Sequence, residues 1–236
     1  MKKLTRCLVA GAGFAAAGYG TLAARGWLQY GRPRESAPDE ADPLLDRFMP
    51  EYEIVERHHV AVDAPAAVTL AAACETDIRA SRLAEAIFRV RALVLGSMGE
   101  SNPGPRRLLA EVQSLGWRIL DETPGREIVL GAVTRPWEAD VTFRGLSPES
   151  FRDFAEPAYV KIAWTLRADP TGPSSSIFRT ETRAIATDTF ARVRFRRYWA
   201  LASPGIGLIR WLMLSPVKAE AERRSVRLKP GAPTAI

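Results

Sequence analysis

The stretch SSSIFRTETRAIATD, Ser174 to Asp188, decides how this sequence is read. Its alternation predicts a β-strand with Phe178, Thr180, Thr182 and Ala184 on one face and Arg179, Glu181 and Arg183 on the other. Three charges in line have two explanations. In the first, Phe178 and the threonines face the interior, and the charges form an outer ladder of ion pairs in water, each pair contributing about 0–1 kcal/mol. In the second, Glu181 points inward, where a charge must be paired and would fix the polar head of a ligand. The outer ladder is preferred, because charged side chains are seldom buried. Glu181 is kept as a cavity candidate.

Upstream, AYVKIAWTLRADP alternates Val160, Ile162, Trp164 and Leu166 against Lys161, Ala163, Thr165 and Arg167, and TGPSSS turns the chain into the strand above. Trp117 to Glu122 and Arg126 to Val133 read as a hairpin about Pro124 and Gly125. Before them come helical stretches, AAVTLAAACETDI, SRLAEAIFRVRALVLG and RRLLAEVQSLG, the last two stopped by Gly96 and Gly116. A first strand precedes these, EYEIVERHHVAVDAP, with Asp63 as a candidate cap and Pro65 in the first helical turn. Downstream of the opening stretch, Asp188 caps the helix TFARVRFRRYWALA, and Ser203–Pro204 predicts the start of a separate one. The order is strand, short helices, antiparallel strands, long C-terminal helical element. The expected fold is α+β: a curved antiparallel sheet wrapped around the terminal helical element, with a cavity between them.

The N-terminus differs in texture. Lys2, Lys3 and Arg6 precede an uncharged run from Cys7 to Ala24, the layout of a signal anchor or signal peptide. Arg25, Trp27 and Tyr30 follow at once, as flanking residues of a retained helix do. The reading is a single-span N-terminal membrane anchor with the domain on the periplasmic or extracellular side, or a secreted or periplasmic protein if the run is cleaved. Residues 1–30 are taken as this segment, 31–48 as a Pro-, Asp- and Glu-rich linker, 49–226 as the folded domain and 227–236 as a tail.

Composition narrows function by exclusion. The formal net charge is +6 in 236 residues, a modest excess that plain soluble domains also carry. Arg192, Arg194, Arg196 and Arg197 spread around their helix, so no nucleic-acid role is expected; contact with anionic lipid head groups suits them better. The two cysteines, Cys7 and Cys74, make no framework, and Cys74 reads as a small hydrophobe. The adjacent His58 and His59 point to opposite strand faces and cannot chelate one ion together, so no metal and no cofactor are expected. GAGFAAAG follows no strand and is not a dinucleotide loop.

Several stretches, HHVAVDAPAAVTLAAA, GAVTRPW, FRDFAEPAYVKIAWTL, FRTETRAIATD and FRRYWALASPGIGLIRWLMLSPVKAEAE, resemble the START/Bet v 1-like superfamily of helix-grip proteins (SRPBCC, polyketide cyclase/lipid-transport-like), and within it a bacterial subgroup that brings no catalytic motif. The likeness covers most of Glu51 to Glu222. It implies an apolar ligand cavity without settling a reaction. The expected function is binding or carriage of an apolar small molecule, lipid or polyketide-like, at the membrane. Alternatives are a cyclase- or dehydrase-type enzyme using His58, His59 or Glu181, and a membrane-tethered interaction module with a filled cavity. Cavity candidates are Trp164, Ile162, Phe178, Thr180, Thr182, Glu181, His58 and Trp199. Tyr198 and Trp199 also read as anchors of the helix to the sheet.

Overall fold

Alternation along the chain becomes one antiparallel sheet. The structure is a computed structural model and describes residues 17–77 and 107–228. The expected helix SRLAEAIFRVRALVLG, the first part of the apolar N-terminal run and most of the C-terminal tail lie outside the described residues. A helix over residues 17–29 (α1) and the short helix Pro43–Asp46 (α2) precede strand β1, Ile54–Val62. Helices α3 (Ala66–Glu75) and α4 (Leu108–Ser114) follow. Then come β2 (Arg118–Thr123), β3 (Glu127–Thr134), the two-residue β4 (Phe143–Arg144), α5 (Pro148–Arg152), β5 (Val160–Gly172), β6 (Ser175–Ala186) and the 40-residue helix α6, Thr189–Leu228.

Strand order is β1-β6-β5-β3-β2, with β4 on the far side of β3. The hairpin turns at Gly125, whose φ of +70° suits a residue without Cβ. Gly116 ends α4 at φ +101°, and a Cβ there would lie 2.2 Å from the Phe143 carbonyl oxygen. Asp63 does not cap α3, since Pro65 holds the N-cap position and the Asp63 amide donates to Glu222.

Two further expectations change. The boundary predicted at Ser203–Pro204 is absent: α6 runs through Pro204 and Pro216. Proline removes a backbone donor, but the helix packs against α3, β1 and β6, with buried side chains on both sides of the two prolines, from Ala191 to Ser225. Its start is as predicted. Asp188 accepts from the Ala191 amide at 2.6 Å and also from the Ala158 amide at 2.8 Å. These backbone bonds hold the Asp188 carboxyl below its usual range.

The second change concerns residues 31–48, read as a linker. They form a strap across the outer face of the sheet. Leu45 and Phe48 are buried with Val129, Val133, Ala163 and Phe151 of the sheet and α5. Composition hides this because arginine side chains, not apolar periodicity, fix the strap. Arg57 donates to the Arg34 carbonyl at 2.8 Å, Arg167 to that of Ala41 at 2.7 Å and Arg183 to that of Met49 at 2.8 Å.

The opening stretch of sequence is thereby explained. Arg179, Glu181 and Arg183 face away from α6, as the outer assignment expects, but the ladder is not in water. Glu181 and Arg183 are only 5% and 2% exposed. Glu181 accepts from Arg57 Nε at 2.8 Å and Arg183 Nε at 2.7 Å. Burial alone would draw the Arg183 pKa down, but hydrogen bonds to Glu181 and Asp46 hold it above its ordinary value. Arg179 meets Asp169 at 3.0 Å and Asp39 of the strap at 3.3 Å.

Replacing Glu181 by Leu strands two guanidinium groups beneath the strap. It should cost about 3–5 kcal/mol in urea unfolding, with Glu181→Gln losing less. A second test uses Glu127, on the same face. Burial and the neighbouring Asp42 push its carboxyl up from 4.5 to about 8. The folded state then holds a proton that the unfolded chain releases. Its contribution to stability is full below pH 4.5 and is lost as pH climbs through about 8. Glu127→Gln should flatten that slope in urea midpoints measured across the range.

Candidate functional site

The face of the sheet toward α6 is apolar at both ends and polar in the middle. At one end, Ile54, Val160, Ala184 and Phe195 form a cluster with Tyr30, against which Ile162, Trp137, Tyr198 and Trp199 pack. At the other, Val62, Leu130, Leu166 and Phe178 pack with Leu70 of α3, Leu108 of α4, and Leu214 and Val217 of α6. Register sets what lies between. Glu56 pairs with Thr182 and Thr182 with Trp164; His58 pairs with Thr180 and Thr180 with Leu166. Side chains two apart share a face, so Glu56, His58, Thr180, Thr182 and Trp164 all point toward the helix.

Arg210 of α6 completes the group. Its guanidinium carbon stands 4.9 Å from the centre of the Trp164 ring, in cation–π geometry. Trp164 in turn donates Nε1–H to Thr180 Oγ1 at 2.6 Å. One turn earlier, Gly207 lies over Glu56: a Cβ there would sit 3.9 Å from Glu56 Oε2, an ordinary contact. Burial draws the Arg210 pKa down to about 10, against the pull of Glu56, and leaves it a cation at neutral pH.

Three polar atoms in this group are buried without a hydrogen-bond partner: His58 Nε2, Thr182 Oγ1 and Arg210 Nε. His58 Nε2 is 3.7 Å from Glu56 Oε2, beyond hydrogen-bond reach. Each such atom forfeits water and gains nothing in return, about 1–3 kcal/mol apiece. Three together, on facing elements, make a polar spot that is short of acceptors: a guanidinium N–H and a hydroxyl to donate, and an imidazole nitrogen able to do either.

The predicted site residues divide accordingly. Trp164, Phe178, Thr180, Thr182 and His58 lie on the helix-facing side, and the first three are part of its packed wall. Ile162 and Trp199 belong to the apolar end cluster, where Trp199 anchors α6 to the sheet. Glu181 is not a cavity residue: it lies on the opposite face, neutralised by Arg57 and Arg183. His59 is on that outer face too, pairing in register with Arg179. Trp211 is 61% exposed on the outside of α6. Cys74 packs against the core, and burial pushes its thiol up to about 11, away from reactivity at neutral pH. Arg210 and Glu56 were missed. The available signal for Arg210 was its isolation, the one charge between Arg197 and Lys218 in an otherwise apolar helix.

The expected cavity between α6 and the sheet is not seen among the described residues. A small, half-open space of about 20 Å³ lies under the strap, bordered by Asp42, Arg57, Arg167, Arg179 and Glu181, with room for one water.

No family model and no curated protein matches the chain. Solved structures that align with it include a conserved protein from Geobacillus kaustophilus, at 7% identity over 74% of this chain and 96% of that one, TM-score 0.33. The Zhui aromatase/cyclase from Streptomyces sp. R1128 aligns at 16% identity over 76% and 99%, TM-score 0.27. Norcoclaurine synthase from Thalictrum flavum, in complex with dopamine and hydroxybenzaldehyde, aligns at 11% identity over 83% and 99%, TM-score 0.26. The last two are members of the group that the sequence resembles. At such identities and TM-scores the alignments carry no argument about chemistry. The architecture rests on the strand order and the terminal helix described above. It is an α+β fold in which one antiparallel sheet is packed against a long C-terminal helix, an arrangement consistent with a helix grip.

A pair of substitutions separates satisfied from unsatisfied hydroxyls on this face. Thr180→Val orphans the Trp164 N–H and should lose about 1–3 kcal/mol in thermal or urea unfolding. Thr182→Val removes a hydroxyl that has no partner and should leave stability equal or higher.

Proposed function

We propose that this domain binds an apolar small molecule, lipid or polyketide-like, with a carboxylate, phenol or carbonyl head, and does so at a membrane to which its N-terminal helix holds it. One observation carries the reading. His58 Nε2, Thr182 Oγ1 and Arg210 Nε converge unpaired between two apolar clusters. An apolar body against those clusters and an oxygen-rich head on Arg210 and Thr182 would use both properties at once. The fold agrees with that use, since a helix laid across a curved sheet can be separated from it without breaking the strand ladders. The middle of α6 is suited to such movement. Ser203–Gly207, SPGIG, holds one proline and two glycines, which lower helix stability by about 3 and about 1 kcal/mol per residue relative to Ala.

Membrane tethering is supported by the uncharged run from Cys7 to Ala24 behind a basic start. With that start on the inside, the domain lies on the periplasmic or extracellular side. A second reading, a cyclase- or dehydrase-type enzyme, is favoured by His58, which faces Glu56 with a free ring nitrogen. Glu181 has no part in it, being held between two arginines on the other face.

The test is native mass spectrometry of the full chain, released from detergent, with solvent extraction of bound molecules and titration with dodecanoate. The expected result is an apolar adduct, and dodecanoate binding weakened about 10- to 100-fold in a folded Arg210→Met variant, the loss of one charge-assisted hydrogen bond. Equal binding by wild type and Arg210→Met would overturn the assignment of the head-group site.

A further inference from the structure

Helix α6 has a second face that its fold does not use. It holds an 18-residue stretch apolar enough to cross a membrane, yet only 17% of that stretch is buried. The exposed side chains are not scattered. Leu201, Leu208 and Trp211 are exposed and recur at intervals of seven and three, on one stripe of the helix. The same stripe begins with Arg194 and Arg197, both exposed. No Asp or Glu occurs between Asp188 and Glu220. The surface is therefore apolar in its middle and cationic at its start, with no acid anywhere along it.

Helix α1 extends this surface. It lies against α6 through Tyr19, whose hydroxyl donates to the Leu201 carbonyl, and through Trp27, whose carbonyl accepts from Arg196 at 3.0 Å and whose ring lies 4.1 Å from the Arg196 guanidinium. Gly26 allows the close approach, since a Cβ there would stand 2.7 Å from Ser203 Oγ. Tyr30 pins the end of α1 by donating to Glu53 at 2.7 Å. Tyr19 and Leu22 of α1 are exposed, as is Leu201. The chain N-terminal to them is the rest of the uncharged run that starts at Cys7.

We propose that the outer stripe of α6, Leu201, Leu208 and Trp211, lies in the surface of an anionic lipid bilayer, beside the point where the N-terminal run enters it. Three observations select lipid over a protein partner. Tyr19, within the uncharged run that starts at Cys7, is bonded to this patch. The rim is cationic without acids, which matches anionic head groups. The stripe has the Trp and Leu anchors and basic flank of an interfacial helix, whose apolar face sinks about 5–10 Å into the head-group boundary. The helix does not cross the bilayer, because its other side packs on β1, β6 and α3. The proposal builds on the membrane part of the function above and is independent of ligand binding.

The test uses the full chain with Cys7→Ser and Cys74→Ser, a nitroxide at Leu208→Cys or, as a control, at the exposed Leu115→Cys on α4's far end. It is reconstituted in vesicles of phosphatidylethanolamine and phosphatidylglycerol. Flotation reports the N-terminal anchor; collision of the label with a water-soluble nickel chelate, against oxygen, reports the stripe. The expected result is flotation of both proteins, with nickel collisions lost at 208 on vesicle addition and kept at 115. Flotation with nickel access kept at 208 overturns the docking and leaves the anchor standing. Failure to float overturns both. Dipolar broadening between labels at 208 would place a second copy of the chain on the stripe and also overturn the proposal.

Discussion

Glu181 sits between Arg57 and Arg183 on the side of the sheet away from the long helix, and much of the molecule follows from that sandwich. Two guanidinium groups on one carboxylate leave net positive charge beneath a surface that excludes water. It is balanced from outside the sheet by Asp46 and by the carbonyls of Arg34 and Met49. The residues that supply this balance are the strap. A buried ion pair is weak support for stability by itself. Here its value is geometric, because it fixes a polar, proline-rich segment on a face that would otherwise be open to water.

With the outer face closed by charge, the inner face is free to be mostly apolar. It is not wholly so. Glu56, His58, Thr182 and Arg210 stand between two apolar clusters, and the two faces differ in how their cations are paired, although Glu127 Oε1 on the outer face is also without a partner. On the outer face nearly every guanidinium nitrogen meets an oxygen. On the inner face, buried donors and acceptors are left unpaired. Satisfied polar groups define a structure; unsatisfied ones of this kind persist where something else completes them.

How much of this was legible depended on whether a residue's neighbours are local. Alternation gave the facing of Phe178, Thr180 and Thr182, because a strand's period is fixed by its backbone. Asp188 and Gly116 were readable for the same reason, as caps and stops act within a few residues. The strap was not, since what orders it is the reach of Arg57, Arg167 and Arg183 from strands far away in sequence. Glu181 was on the correct side for the wrong reason: a face away from the helix was equated with a face in water. The Ser203–Pro204 boundary failed because a local breaking signal is weaker than the packing of one side of the helix on β1, β6 and α3. The site itself was half visible. His58 and Thr182 follow from alternation, but Arg210 joins them only through the angle at which α6 crosses the sheet.

That crossing gives one short segment of α6 two duties. Gly207 and Arg210 look inward over Glu56 and Trp164; Leu208 and Trp211, a residue away from each, look outward. The segment is also where SPGIG makes the helix weakest. If the outer stripe rests in lipid, the part of the helix that must yield to admit an apolar molecule is the part already in contact with the phase where such molecules reside. An apolar ligand would then reach Arg210 along the helix flank without crossing water, whose avoidance is worth about 0.8 kcal/mol for each methylene kept dry. The charge of Arg210 acquires a role in that arrangement. A lone cation beneath an apolar helix is a poor element of a core, and a good means of drawing a head group off a membrane surface to a site between two apolar walls.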